Sequence, residues 1–175
     1  VGRITGKEVA GCGINWTFAP TVAAALDERW GRTYESFSEN PLLVGDMGRA
    51  TVLGMQDGFM GSSASSILPC VKHFAGDGAT TGGVDRGNAE MNEDDFRRLA
   101  VNQYQPAIDA GAGSIMASFN SWNGDLMHGH QYMLTDVLKG EMGFEGFVIS
   151  DWGGVDGVGI ANAIHAGLAT VMIPA

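Results

Sequence analysis

The chain has 175 residues, 45% of them hydrophobic and 17% charged, with 20 acidic against 10 basic side chains and a net charge of −10. That length allows one ordinary domain core, and that apolar share excludes a disordered chain. An acidic balance without any Lys/Arg cluster argues against nucleic acid as a partner, and no run of 18 apolar residues offers a membrane span.

In chain order, the first short apolar run is 14–19, stopped by Pro20, and it predicts a strand. Residues 41–59 then follow a helical period, with Val44, Met47, Thr51, Gly54 and Met55 on one side. A second strand is predicted over 66–71, leading into Lys72, His73 and Phe74. The Gly-rich stretch 76–83 lacks the Lys-Ser/Thr of a phosphate-binding loop and reads as a flexible loop. Asn92 is placed to cap a helix whose first turn holds Glu93, Asp94 and Asp95, where negative charge favours the helix dipole. That helix is expected to bury Phe96, Leu99 and Gln103, and Pro106 to kink or end it. Strands over 113–119, 146–150 and 170–173 alternate with two more helices. One starts at Thr135 with Val137 and Leu138 inward and closes at Gly143; Ile160, Ile164 and Leu168 mark the other. Cys12 and Cys70, far apart and without a CxxC, read as buried thiols. His128 and His130 bracket Gly129 with no third ligand nearby, so no zinc site is expected.

Five strands alternating with helices define an α/β fold of βα repeats, either an open doubly wound sheet or a closed (β/α)8 barrel. The chain shows neither GxGxxG nor a P-loop after its first strand. Both architectures bring ligands to the C-terminal ends of their strands. There the sequence sets Lys72-His73, Ser118 to Asn123, and Asp151-Trp152, with Asp27 to Arg32 in the loop after the first strand. Carboxylate, cations, imidazole, amides and indoles on one rim are the inventory of a sugar site. Each has a plain alternative. Asp151 could cap a loop, His73 could be a satisfied core histidine, and Arg29 and Arg32 could pair with Asp27, Glu28 and Glu35. Trp122 and Trp152 could be packing.

Four ordered strings carry more than these separate readings: Arg29 to Phe37, Lys72 to Gly78, Ser121 to Gly124, and Val148 to Trp152. In content, order and spacing they resemble glycoside hydrolase family 3, nearly end to end, and its exo-acting β-glucosidase and β-glucan glucohydrolase branch most. The resemblance implies a partial (β/α)8 TIM barrel of about five βα units, with residues 1–175 lacking the barrel's first strands. It implies a retaining β-glucosidase that frees β-D-glucose from nonreducing ends of β-glucosides or β-glucan oligosaccharides, with no cofactor and no metal. Asp151 would be the nucleophile. Arg32, Lys72 and His73 would hold hydroxyls of the nonreducing glucosyl unit, and Trp152 would wall the next subsite. Lys72 and Arg32 beside Asp151 favour the ionised form that a nucleophile needs. A retaining enzyme also needs a second carboxyl about 5–5.5 Å away. In this branch it is a Glu of a following α/β sandwich domain, which residues 1–175 do not include, so the chain alone is expected to be inactive. Relatives of this kind are often periplasmic or secreted.

The chain departs from the family pattern in places. Phe119 stands where many relatives have Tyr, Gly167-Leu168-Ala169-Thr170 replaces Gly-Leu-Asp-Met, and the loop after Asp151 is short. Asp85 stands near the family's extra acidic residue. Asp77 and Val84-Asp85-Arg86 argue against the hexosaminidase branch. Three rival readings remain open on the residues: a non-catalytic sugar-binding relic, a β-xylosidase, and a barrel aldolase or isomerase with Lys72 as Schiff base.

Overall fold

The computed structural model describes residues 1–174. The chain opens with helix α1 (Gly2–Gly11), then β1 (Trp16–Thr17), α2 (Pro41–Met55) and β2 (Leu68–Phe74). A short β3 (Asn88–Ala89) precedes α3 (Glu93–Phe96). That helix runs on through a wide turn (Arg97–Val101) and a tight one (Asn102–Tyr104) into α4 (Gln105–Asp109). Next come β4 (Ser114–Ala117), the hairpin of β5 (Ser121–Trp122) and β6 (Asp125–Leu126), and a wide-turned helix over Tyr132–Glu141. β7 (Phe147–Trp152), α5 (Ile160–Ala166) and β8 (Thr170–Met172) complete the series.

β1, β2, β4, β7 and β8 lie side by side in that order, all parallel, as a curled sheet that is part of a (β/α)8 barrel. Alternation along each strand gives the sheet two faces. Val71, Ile115 and Val148 face the helices and join the main core with Val44, Val52, Tyr104 and Leu134. Cys70, Met116 and Ile149 face the barrel interior and pack with Trp16, Phe147 and Met172. Lys72 follows Cys70 by two residues and Asp151 follows Ile149 by two, so the same period delivers both to the interior at the C-terminal strand ends. Among the described residues the sheet does not close on itself, and its outer strands are flanked by exposed Ile14, Phe18 and Ile173.

Several expectations need correction. β2 and β7 extend past the predicted ends, so Lys72, His73 and Asp151 are strand residues rather than loop residues. The first predicted strand shrinks to Trp16–Thr17. In α2 the buried line is Val44, Gly48, Val52 and Met55; Met47 is exposed, and Thr51 and Gly54 lie against α1. Asn92 caps α3 as expected, its Oδ1 accepting from the Asp95 N–H, but Leu99 is only half-buried. Pro106 interrupts the regular helix without ending the segment: the wide and tight turns precede it, and it falls in the first turn of α4, where a missing N–H costs nothing. The next helix starts at Tyr132, ahead of Thr135. In α5 the Ile160 and Ile164 stripe faces solvent, and the small Ala163 and Ala166 make the close contact instead. Cys12 is exposed at the end of α1; Cys70 is buried. The stretch 76–83 is no flexible loop: it folds into two tight turns (Asp77–Ala79 and Thr81–Gly83) with Asp77 to Thr80 buried. Gly78 packs so closely that a Cβ there would lie 2.1 Å from the Ala24 carbonyl oxygen.

Candidate active site

Arg32 sits in the loop before the turn Thr33–Glu35, Lys72 and His73 at the end of β2, and Asp151 near the end of β7. These four converge on one rim. They border two adjoining hollows that share Arg32, His73 and Asp151. One, of about 340 Å³, is completed by Gly31, Asp77, Asp85, Arg86 and Phe119. The other, of about 210 Å³, is completed by Phe18, Lys72, Met116, Trp152 and Met172. A larger hollow of about 690 Å³, between the β5–β6 hairpin and α5, contains none of the predicted site residues.

His73 is the hub. Its Nδ1 lies 2.6 Å from an Asp77 carboxylate oxygen, a close contact that falls off the in-line N–H direction. Its Nε2 lies 3.5 Å from an Asp151 carboxylate oxygen and 3.2 Å from Arg32 Nη1. An arginine can only donate, so this approach fits a ring whose proton is on Nδ1, toward Asp77. From behind, the buried Tyr104 hydroxyl donates to the His73 carbonyl at 2.7 Å. The Lys72–His73 and Phe74–Ala75 peptides are cis.

Arg32 is held by Glu35 through two 2.8 Å hydrogen bonds, Nε to Oε1 and Nη2 to Oε2. The Thr21 hydroxyl also donates to Glu35. These bonds, the Arg32 pair foremost, draw the Glu35 pKa down to about 2, and that of Arg32 is raised in return. Burial lowers the Lys72 pKa, with Arg32 adding to it, while Glu35 and Asp151 oppose the shift. Asp151 turns one carboxylate oxygen to the Trp152 N–H at 2.6 Å and the other to His73. Its own N–H donates to Nε2 of the buried His128 at 2.9 Å.

Other candidates part company here. Arg29 binds Asp27 at the exposed surface, away from Asp151. Trp122 is a packing residue, stacked between Phe96 and His130, with its indole N–H on the Met91 carbonyl. Trp152 is 62% exposed at the rim, with a free face. The pairing of Arg32 with Glu35 was open on the sequence and is present here, while three contributors were not picked out: Asp77 beside His73; His128; and Arg86, whose guanidinium lies 4.0 Å over the Phe119 ring. Arg86 has a positive φ of 56°, uncommon for a side-chain-bearing residue.

The half-barrel gathers carboxylate, imidazole and cations at the C-terminal ends of its strands, where barrels of this kind bind their ligands. Comparison with known proteins gives the family: residues 1–172 match the glycosyl hydrolase family 3 N-terminal domain, and the chain belongs to that family. It is 37% identical over 155 residues to the periplasmic β-glucosidase of Salmonella typhimurium, covering 89% of this chain and 20% of that protein. It is 35% identical over 189 residues to the lysosomal β-glucosidase of Dictyostelium discoideum, covering 98% of this chain and 23% of that one. Among solved structures, the exo-1,3/1,4-β-glucanase of a Pseudoalteromonas species superposes with a TM-score of 0.94 and 48% identity, over 99% of this chain and 23% of that one. The chain thus spans between a fifth and a quarter of the length of these relatives.

Proposed function

We propose that the chain carries the nucleophile side of the active site of a retaining, exo-acting β-glucosidase. The carrying observation is the Asp151 carboxylate, turned into the cleft within 3.5 Å of His73 and sharing its hollows with Arg32 and Lys72. In this reading Asp151 attacks the anomeric carbon, the glycosidic bond breaks, and the aglycone oxygen takes a proton as it leaves. Water then opens the glycosyl ester and returns β-D-glucose with retained configuration. Arg32, Lys72 and His73 bind hydroxyls of the nonreducing glucosyl unit, and Trp152 stacks on the next sugar. The residues belong to a longer polypeptide whose following α/β sandwich domain supplies the Glu that protonates the leaving group and then activates water.

The test is intact-protein mass spectrometry of the full-length protein after exposure to a slow 2-deoxy-2-fluoroglucoside, followed by peptide mapping. The label is expected on Asp151, and Asp151→Ala is expected to abolish turnover while the protein stays folded. A label on any other residue, or full turnover by that variant, sinks the assignment. Parallel rates on aryl β-glucoside and aryl β-xyloside separate the glucosidase from the xylosidase reading.

A further inference from the structure

The ring of His128 sits where β4 and β7 part company at their C-terminal ends. β4 and β7 pair through Ser114, Ile115 and Met116 against Phe147, Val148 and Ile149, and no further. Past that point the Asp151 N–H has no strand partner, and Nε2 of His128, carried on the tight turn Met127–Gly129, accepts it at 2.9 Å. The ring is 2% exposed and wedged in place. The Phe119 ring lies 5.5 Å away, and Gly154 packs so close that a Cβ there would stand 2.2 Å from Nε2.

We propose that His128 is a positioning residue: a neutral imidazole, protonated on Nδ1, that fixes the main chain of Asp151 and so sets where its carboxylate stands. The proposal rests on the reading of Asp151 as nucleophile. An acceptor nitrogen needs its lone pair, which leaves the ring proton to Nδ1. Two charged or titratable groups face the ring. The Asp151 carboxylate favours protonation and His73 disfavours it, while burial outweighs both and draws the pKa down to about 4. The bond is therefore kept through the neutral range. The Trp152 N–H of the next peptide donates to the Asp151 carboxylate, so a tilt of the Ser150–Asp151 peptide that His128 holds would pass through the Asp151 Cα to the side chain and to that bond.

In the full-length protein, His128→Gln sets an amide oxygen where Nε2 stands, and His128→Phe keeps a flat ring without an acceptor. The phenylalanine variant is expected to lose kcat by about 10- to 100-fold with KM for an aryl β-glucoside little changed, as misplacement of a reacting group costs. The glutamine variant should recover most of that loss at a similar thermal midpoint. A wild-type kcat in the phenylalanine variant overturns the proposal, as does an equal loss in two well-folded variants. Should the phenylalanine variant fail to fold, ¹⁵N-histidine NMR of the unmodified protein at neutral pH decides. The His128 signal, assigned by its absence in the glutamine variant, must show Nε2 unprotonated and Nδ1 protonated; a protonated Nε2 overturns the proposal. Full turnover by Asp151→Ala overturns the nucleophile reading and this proposal with it. A normal label on Asp151 beside an unaffected phenylalanine variant overturns this proposal alone.

Discussion

Replacing Glu35 by glutamine removes the carboxylate that grips Arg32 from two directions while leaving the shape of the side chain. In the folded protein the Glu35 pKa falls from 4.5 to about 2, chiefly through those hydrogen bonds. The difference of about 2.5 pH units corresponds to about 3.4 kcal/mol in full. The two side chains keep 28% and 24% of their surface in water, so screening reduces this to about 1–2 kcal/mol. The sign follows from the depressed pKa. The stabilisation is complete above the unfolded value of 4.5 and is lost as pH falls from there toward about 2. Urea unfolding of the full-length protein and of Glu35→Gln at a series of pH values should therefore show the variant weaker by about 1–2 kcal/mol at pH 7 in the transition that reports this domain. The difference should narrow steadily below pH 4.5. A difference that stays constant from pH 7 to pH 3, or a variant equal to wild type at pH 7, would refute the reasoning. Arg32, released from its clamp, keeps only His73 at 3.2 Å and Asp77 at 3.9 Å.

Two further substitutions read other parts of the rim. Arg86→Ala removes a guanidinium that stacks on Phe119 and meets only a loose 3.6 Å contact with Asp85, so its donors are free for a ligand; KM for an oligosaccharide should rise about 3- to 10-fold with kcat unchanged, and equal KM values would count against a ligand role. Gly78→Ala forces a methyl group against the Ala24 carbonyl behind Asp77 and should cost about 1–3 kcal/mol, measured as a lower urea midpoint; an unchanged midpoint would show that the turn can yield.

The architecture was legible because its signals are physical ones that survive context. Apolar runs of strand length, separated by helical periods, leave little choice but a βα-repeat sheet. The rim was legible in part, because a lysine, a histidine and an aspartate at the ends of such runs have one destination. What escaped depends on tertiary packing. Asp77 sits in a Gly-rich stretch that looks like a loop, and only the fold shows that the glycines let that stretch pack against Ala24 and press Asp77 onto His73. The stripe chosen for α2 held Val44, Gly54 and Met55 but missed Gly48 and Val52, and that for α5 followed the large Ile160 and Ile164, whereas Ala163 and Ala166 are the buried residues there. The β5–β6 hairpin carried a usable signal, the pair Asn123-Gly124, both at positive φ. His128 carried none, since a histidine that accepts a main-chain N–H from 23 residues away has no mark in the sequence.

The distribution of carboxylates around the cleft separates two chemical roles. Glu35 is committed to Arg32 and Thr21, and with a pKa of about 2 it holds no proton to give near neutral pH. Asp77 lies behind His73, 4% exposed, and is spent on orienting the imidazole. Asp85 stands at the mouth beside Arg86, with 63% of its side chain in water. Asp151 borders both hollows together with Arg32 and His73, its N–H on His128 and its carbonyl accepting from the Gly154 N–H. On the reading proposed above, this is the carboxylate that attacks. In that reading the attacking group has its surroundings among the described residues, while Glu35 and Asp77 are engaged with Arg32 and His73. That imbalance, in a chain covering about a quarter of its structural relative, is why the acid is sought elsewhere in the polypeptide rather than among these side chains.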